Sequence, residues 1–396
     1  MIDFDIAPLT WYQRRLTRAF NLDTVRRLGR YYDEHEHEPI KEVNEIRARS
    51  LGIIAQAAEL AAGRPGEKGG LSGVVVGEER NWGDPAVIIS TSQGFVGNMV
   101  VAALGSPKQK ERCAGKFVAF AITEPCCGSD TSSIQTTAML DKEKNEWVIN
   151  GTKIFITGGS ICSQAVVWAT LDRGLGRAAM KSFLVGADNP GMSVTKLENK
   201  LGFRASDTAV LVLDDCRVPY DDIMGDPEVK ARTTSQSGFR GVMKTFDASR
   251  PVVAALALGV GQAALDFAKE KLEEAGYTFP YDRGIHELNA VQKEVLEMEA
   301  SLEAARMLIW RAGAMLDTGQ RNSLEASMAK AKAGKVATVV TEKCVALLGP
   351  LGFSHEWAAE KFMRDCKVTD IFEGTGQINT LIVARNILGF TREQLK

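Results

Sequence analysis

The residues best suited to chemistry in this chain are Phe372-Glu373-Gly374-Thr375-Gly376-Gln377-Ile378, one carboxylate set among loop formers just before an apolar helical stretch. Gly374 and Gly376 tolerate positive φ and close backbone approach. Thr375 and Gln377 offer side-chain hydrogen bonds. Buried in such a loop, Glu373 has a raised pKa and suits general-base work near neutral pH; left in water it is an ordinary glutamate ahead of a helix. A second stretch, Thr123-Glu124-Pro125-Cys126-Cys127-Gly128-Ser129-Asp130, follows a predicted strand. Pro125 and Gly128 force an irregular loop, whose backbone N–H groups and hydroxyls suit phosphates or the polar edge of a ring. The alternative is a plain polar turn.

Other signals are weaker. Gly259-Val-Gly261-Gln-Ala-Ala264 matches a dinucleotide fingerprint. It lies inside a stretch of helical character with no βαβ unit around it, so close helix packing explains its small residues better than a nicotinamide site. No GxSxG or Ser/His/Asp pattern supports hydrolase chemistry. His35 and His37 sit in the acidic run 33–38, which reads as a solvated helix face, and no metal is assigned. The seven cysteines have no CxxC spacing and read as reduced thiols of a cytoplasmic protein.

The elements that must position these residues fall into three segments. Residues 1–116 read as helical, with Leu51–Ala62 an apolar stretch, a break at Pro65 and the glycines 66, 69 and 70, and a second stretch over Ala86–Leu104. Residues 117–228 change to period two, with predicted strands Phe117–Thr123, Glu146–Asn150, Lys153–Thr157, Ala165–Leu171, Lys181–Ala187 and Ala209–Asp214. Asn150-Gly151 predicts a type I′ hairpin turn between two of them. Residues 229–396 return to long helices: Arg250–Glu274, Asn289–Thr318, Ser323–Leu348, Glu356–Cys366 and Gln377–Leu388. The fold class is therefore α+β: an N-terminal helical domain, a middle antiparallel β barrel or sandwich, and a C-terminal four-helix bundle.

With 396 residues, 45% hydrophobic and 25% charged, the chain is long enough for two or three domains of ordinary globular composition. A net charge of −2 gives no reason to expect nucleic acid or an anionic membrane as partner. Its start, Met1-Ile-Asp-Phe-Asp, lacks a secretory apolar core, and the run Val252–Val260 is too short to span a bilayer, so a cytoplasmic location is expected.

Taken together, the motifs resemble those of the acyl-CoA dehydrogenase family. The resemblance rests on Thr123-Glu-Pro-x-x-Gly-Ser-Asp130, Asn150-Gly-x-Lys-x-Phe-Ile-Thr157, Leu201-Gly-x-Arg204, Thr245-Phe-Asp-x-x-Arg-Pro251, Met363-Arg-Asp365 and Phe372-Glu-Gly-Thr-x-Gln377, in order and fittingly spaced. It spans nearly the whole chain and is closest to the short- and medium-chain type. It implies noncovalent FAD, removal of a proton α to a thioester, and passage of the β-hydrogen as hydride to flavin, giving a trans-2-enoyl-CoA. Glu373 matches the catalytic base. Phe120, Ile122, Thr123, Gly128, Ser129, Phe155, Ile156, Thr157, Thr375 and Gln377 match cofactor contacts. Ser129, Asp247, Arg250, Gly374 and Arg385 match substrate-binding positions. Some relatives carry the base on the helix of Phe-Asp-x-x-Arg-Pro; that position is Ser249 here, so no second base is expected. In the family, the thioester oxygen is polarised by the backbone N–H of the catalytic glutamate and a ribityl hydroxyl of FAD, a type of donor worth about 3–4 kcal/mol.

The resemblance also implies electron-transfer flavoprotein as electron acceptor and a tetramer. Three departures bear on the tetramer. Where relatives have Arg-x-x-Phe-Gly, this chain has Gly276-Tyr-Thr-Phe-Pro280; a polar pair becomes Leu288-Asn289; and Gln-x-x-Gly-Gly becomes Ala346-Leu-Leu-Gly-Pro350. In the family these sites reach the ADP half of a neighbour's FAD. A homotetramer with compensating contacts, for example from Arg283, and a heterotetramer with a related subunit both stand. So do two further alternatives: a carrier-protein-linked dehydrogenase, and a flavin oxidase or monooxygenase on the same fold, against which Glu373 argues. No arginine in 91–99 awaits a dicarboxylic acyl group.

Overall fold

The computed structural model describes residues 6–60, 69–92, 94, 96–229, 237–391 and 394, the side chains of 237–244 excepted. The expected break at 65–66 lies outside them. Helices run in the order α1 (Pro8–Phe20), α2 (Arg26–Glu34), α3 (Val43–Leu60), α4 (Gly69–Gly83), α5 (Pro85–Thr91), α6 (Val96–Leu104) and α7 (Pro107–Cys113), then, beyond the strands, α8 (Ser237–Glu274), α9 (Ala290–Asp317), α10 (Ser323–Leu348), α11 (Pro350–Phe353), α12 (Ala359–Lys367) and α13 (Gly376–Leu388). The chain forms two compact units.

One unit, Met1–Ile88 with Lys200–Ala205 and Asp247–Lys396, is helical. Gly69 and Gly70 open α4 instead of breaking a helix, because the N–H groups of Gly70 and Leu71 are capped by the Asp317 carboxylate. The Gly259/Gly261 pair lies mid-helix in α8: a Cβ at Gly259 would come within 2.3 Å of the Glu78 carbonyl, and one at Gly261 within 3.1 Å of Ala337 and Leu302. These glycines serve helix packing, as expected. The Thr245–Glu274 part of α8 is long and apolar enough to cross a membrane, a property that buried core helices share; 78% of its most apolar window is buried.

Charge is also buried here. The Lys361 ammonium, on α12, lies between the carboxylates of Asp84 and Asp365, all three nearly inaccessible to water. Asp365 also accepts from the Phe203 N–H at 2.6 Å, and Arg364 clamps Asp33 through two hydrogen bonds of 2.9 and 2.6 Å. Residues of α2, α5's approach, the 200–205 segment and α12 are thus tied by one network.

The other unit, Ile89–Asn199 with Ser206–Phe246, holds one sheet: β1 (Val118–Ala121), β2 (Thr137–Asp141), β3 (Glu146–Thr157), β4 (Gln164–Thr170), β5 (Met180–Gly186), β6 (Met192–Leu197), β7 (Thr208–Pro219) and β8 (Ile223–Met224). The order is β6-β7-β3-β2-β4-β5-β8, with β1 beside β4. The expected antiparallel barrel or sandwich needs correction, because the sheet is mixed: β1 and β2 both pair with β4 in parallel. Period-two patterning reports which face is buried, not the direction of a partner. β4 is buried on both faces: Ala165, Val167 and Ala169 join Trp147, Ile149, Ile156 and Phe183 on one side, while Val166 and Trp168 join Val100, Val101 and Leu184 on the other.

The predicted hairpin at Asn150-Gly151 is also wrong. β3 runs unbroken through it, and the ladder to β7 slips there by a bulge. Gly151 is required because a Cβ would fall 2.3 Å from Thr136 Oγ1, and Asn150 Oδ1 accepts from the Asp215 N–H. The turn between β2 and β3 lies instead at 142–145, where Asn145 takes a positive φ of 53°.

Candidate active site

The carboxylate loop is built by the chain that leaves α12. A 3-10 turn over Val368–Asp370 leads into residues 371–375, and Thr375 caps α13 by accepting from the Ile378 N–H at 3.2 Å. Asn379 closes the loop from inside, donating to the carbonyls of Gly374 (2.8 Å) and Thr375 (3.0 Å). Glu373 itself takes a left-handed backbone, φ 52°, followed by Gly374 at φ 92°. For a glutamate this costs about 1–3 kcal/mol, and such strain is characteristic of sites where a side chain must point one way.

The Glu373 carboxylate lies inside the helical unit. Its Oε2 accepts from Ser249 Oγ at 2.8 Å, so the position at which some relatives carry the base touches this carboxylate. Its Oε1 is buried and has no hydrogen-bond partner among the described residues. Burial raises its pKa, against the lowering influence of the Ser249 hydrogen bond and the positive charges of Lys330 and Arg250. An ionised, desolvated carboxylate with one free oxygen is equipped to take a proton.

Around it, Arg250 is 4% exposed and pairs with Asp247 at 3.3 Å; its Nη2 would lie 3.9 Å from a Cβ on Gly374. Asp247, Arg250 and Gly374 are thus gathered next to Glu373. Gln377 is exposed at the start of α13, whereas the Thr375 hydroxyl is occupied as a cap. Arg385 is not brought to the loop: it sits nine residues along α13 from Gly376, roughly 13 Å at 1.5 Å per residue.

The second group of expected residues lies in the sheet unit. The loop after β1 closes on a two-way bridge between the backbones of Glu124 and Cys127, and the Thr123 carbonyl accepts from the Ile154 N–H at 2.9 Å. Beneath it lies an ion pair to which sequence reasoning gave no role. The Glu124 carboxylate accepts from Lys153 Nζ (2.7 Å) and from the N–H groups of Gln135 (2.6 Å) and Thr136 (2.9 Å). Lys153 is fully buried; desolvation pulls its pKa down to about 8, opposed by Glu124, so it remains charged at neutral pH. Its sequence signals were its place in the Asn150–Thr157 motif and a lysine in phase with buried residues of a strand, and neither says which carboxylate it meets.

Above this pair, Phe155 takes a positive φ of 56° at a bulge in β3, and its ring is 60% exposed. Gly128 and Ser129 are exposed, Thr123 and Thr157 half-exposed. Ile122 and Ile156 are buried in opposite faces of the core, leaving only their backbone for a ligand. Phe120 is half-buried and packs edge-on against Trp168 and Phe246. In the same loop Cys126 is exposed while Cys127 is buried. This donor set is hydroxyls, backbone and one bare aromatic ring. Its carboxylates are already engaged: Glu124 by Lys153, Asp130 by Ser132 and Ser133. It fits an uncharged planar heterocycle with polar edges.

Comparison with known proteins agrees. Residues 119–216 match the middle domain of acyl-CoA dehydrogenases and residues 236–388 their C-terminal domain. The "Acyl-CoA dehydrogenase, short-chain specific" of Clostridium acetobutylicum is 30% identical over 98% of this chain and 100% of its own length. The chain belongs to the acyl-CoA dehydrogenase family. Human "Short-chain specific acyl-CoA dehydrogenase, mitochondrial" is 37% identical over 73% of this chain and 68% of its own. Among solved structures, butyryl-CoA dehydrogenase from Megasphaera elsdenii superposes with TM-score 0.83 at 29% identity, covering 98% of this chain and 100% of that one. A chain described with the electron transferring flavoprotein of Acidaminococcus fermentans reaches TM-score 0.81 at 28% identity, covering 98% and 99%. Acyl-CoA dehydrogenases are FAD-dependent oxidoreductases acting on CH–CH bonds, and this chain has their fold.

Proposed function

We propose that the chain dehydrogenates a short-chain acyl-CoA to its trans-2-enoyl-CoA, with Glu373 as the base and electron-transfer flavoprotein as acceptor. The buried, half-paired Glu373 carboxylate carries this reading. An α C–H is a weak acid, and a carboxylate in water is a poor base toward it. Removing water strengthens the base, and the Glu373 backbone N–H, presented by the left-handed turn, is the donor for the thioester oxygen. Ser249 holds Oε2 and leaves Oε1 for the proton. FAD, when bound, supplies the hydride acceptor. In the sheet unit, Phe155, Thr123, Ser129 and Thr157 would hold it, with Phe120, Gly128 and the backbones of Ile122 and Ile156; Thr375 and Gln377 keep the cofactor role that the resemblance implies for them. In the helical unit, Asp247, Arg250 and Gly374 would hold the thioester, with Arg385 further along α13; Ser129 keeps the substrate role that the resemblance implies for it. The names of the short-chain relatives and of the butyryl-CoA enzyme support a short acyl group. Anaerobic titration of the purified flavoprotein with butyryl-, octanoyl- and cyclohexanecarbonyl-CoA tests this. Bleaching of the flavin is expected with butyryl-CoA first; no bleaching by any acyl-CoA would sink the reading.

The loop of the sheet unit gives a separate prediction. Lys153→Met leaves Glu124 buried without its cation, a loss of about 3–5 kcal/mol. Flavin retained after gel filtration is expected to fall at least ~10-fold, the equivalent of about 1.4 kcal/mol. Full flavin content in this variant would show that the loop holds its shape without the pair.

We further propose a cytoplasmic tetramer whose subunits follow the division 1–116, 117–228 and 229–396. Its composition turns on three helix ends. Gly276, at φ 90°, closes α8, with the Tyr277 N–H on the Leu272 carbonyl; Asn289 caps α9 through Gln292; Gly349, at φ 55°, separates α10 from α11. Each residue is explained by its helix terminus, and none brings a cation. This favours pairing with a related subunit that supplies it. Purified alone, the chain is then expected to bind less than one FAD per subunit; one FAD per subunit with activity would overturn the pairing with a related subunit.

A further inference from the structure

Lys330 sits in α10 among the buried Ala326, Ser327, Ala329, Ala333 and Gly334, and is 1% exposed. Its Nζ is buried with no hydrogen-bond partner among the described residues. Buried ammonium groups are normally paired, so one left bare calls for an account. The same face of α10 presses on the turn before Glu373: a Cβ at Gly334, one helical turn from Lys330, would lie 3.1 Å from Asp370 Cα. The Lys330 Nζ lies 6.0 Å from the ring centroid of Phe372, the residue preceding Glu373. The charges that act on it are Asp370 and Glu373, which attract, and Arg250, which repels. Those acting on Glu373 come from α8 (the Ser249 hydrogen bond, and Arg250 with its partner Asp247) and from α10 (Lys330); Asp370, in the turn, acts on Lys330, and the neutral Asn379 of α13 bonds the Gly374 carbonyl.

We propose that Lys330 is a positioning residue for the reaction, a buried cation that keeps Glu373 ionised by its field alone while leaving the proton-accepting oxygen unoccupied. The proposal rests on Glu373 as the base. The geometry explains why the lysine makes no hydrogen bond among the described residues. A cation bonded directly to Oε1 would fill the lone pair that must receive the substrate proton. A cation behind Phe372 stabilises the carboxylate electrostatically, against the burial that favours its protonated form, and leaves Oε1 bare. Desolvation brings the lysine down to about 8, still charged at neutral pH.

The test compares pH profiles of kcat/KM for wild type, Lys330→Met, Lys330→Gln and Lys330→Arg, alongside titration of the Glu373 carboxyl in the same proteins by infrared difference spectroscopy against Glu373→Gln. In the two neutral variants the acid limb and the carboxyl pKa are both expected to rise by about 1 unit, with activity recovering toward the wild-type plateau at higher pH. Lys330→Arg keeps the limb in place. A uniform loss at every pH with an unmoved carboxyl titration, or an unmoved limb, would overturn the proposal. Should Lys330→Met fail to fold, the shorter, polar Lys330→Gln carries the same test. Failure of the underlying reading would show separately, as turnover surviving in Glu373→Gln.

Discussion

Glu373→Gln is expected to reduce kcat by at least about 10³-fold, within the usual worth of a positioned general base, while flavin content and thermal midpoint stay at wild-type values. Glutamine keeps the length of the side chain and can still accept the Ser249 hydrogen bond at the oxygen now seen as Oε2. It loses only the capacity to take a proton. Replacing a buried carboxylate by a neutral amide also removes a desolvation cost, so no loss of stability is expected. In the wild type, burial raises the Glu373 pKa, and it is the ionised form that accepts the proton. Activity should therefore climb with pH through an acid limb above the ordinary carboxylate range. Glu373→Asp separates geometry from chemistry: aspartate adopts a left-handed backbone more readily, yet withdraws the carboxylate by one methylene, and a displacement near 1 Å costs about 10²-fold. Turnover near wild type in Glu373→Gln would remove this residue from the base role.

The largest effect on stability is expected at Lys361. Lys361→Met leaves Asp84 and Asp365 buried against each other with no cation between them, and breaking such a site by removing one partner costs about 3–5 kcal/mol. Asp365 is already pushed up, chiefly by burial and also by Asp84, so in the variant it would take up a proton rather than stay ionised. The thermal midpoint should drop markedly, and part of the loss should return as pH is lowered toward that protonation. The wild type behaves oppositely. Against their own desolvation, Asp33 and Glu360 are held below the usual carboxylate range, mainly by hydrogen bonds from Arg364. Their contribution is present above about pH 4 and is lost as pH falls through the lowered folded values. A Lys361→Met midpoint equal to wild type would show that α12 is held by packing alone.

Much of this could be read from residues, but unevenly. The change from helical to period-two patterning at 117 and back after 228 located the strands because alternation reports burial directly. Strand β6 escaped notice because Ser193, Val194, Thr195 and Lys196 are all exposed, so no alternation marks them. Asn150-Gly151 was misread because its dipeptide chemistry suits a hairpin turn and a strand bulge alike, and contact with Thr136 decides between them. At the site, Glu373 was legible because its loop formers are adjacent in sequence. Lys153 was legible only as a motif position and Lys330 not at all, because what distinguishes each is a carboxylate that acts on it from afar in sequence, 29 residues away for Lys153 and 43 for Lys330, counted from Glu124 and Glu373.

The contrast between the two neighbouring cysteines has a practical side. Cys113, Cys127, Cys162, Cys216, Cys344 and Cys366 are all buried, and burial raises each of their thiols, to about 11 or 12 in all but Cys113. Thiolate is the reactive form, so these six resist alkylation in the folded protein. Cys126 alone is open to reagent. A maleimide fluorophore will therefore mark one known spot on the loop after β1 without any engineered cysteine, and a change in its emission on adding FAD is the expected result if that loop takes the cofactor.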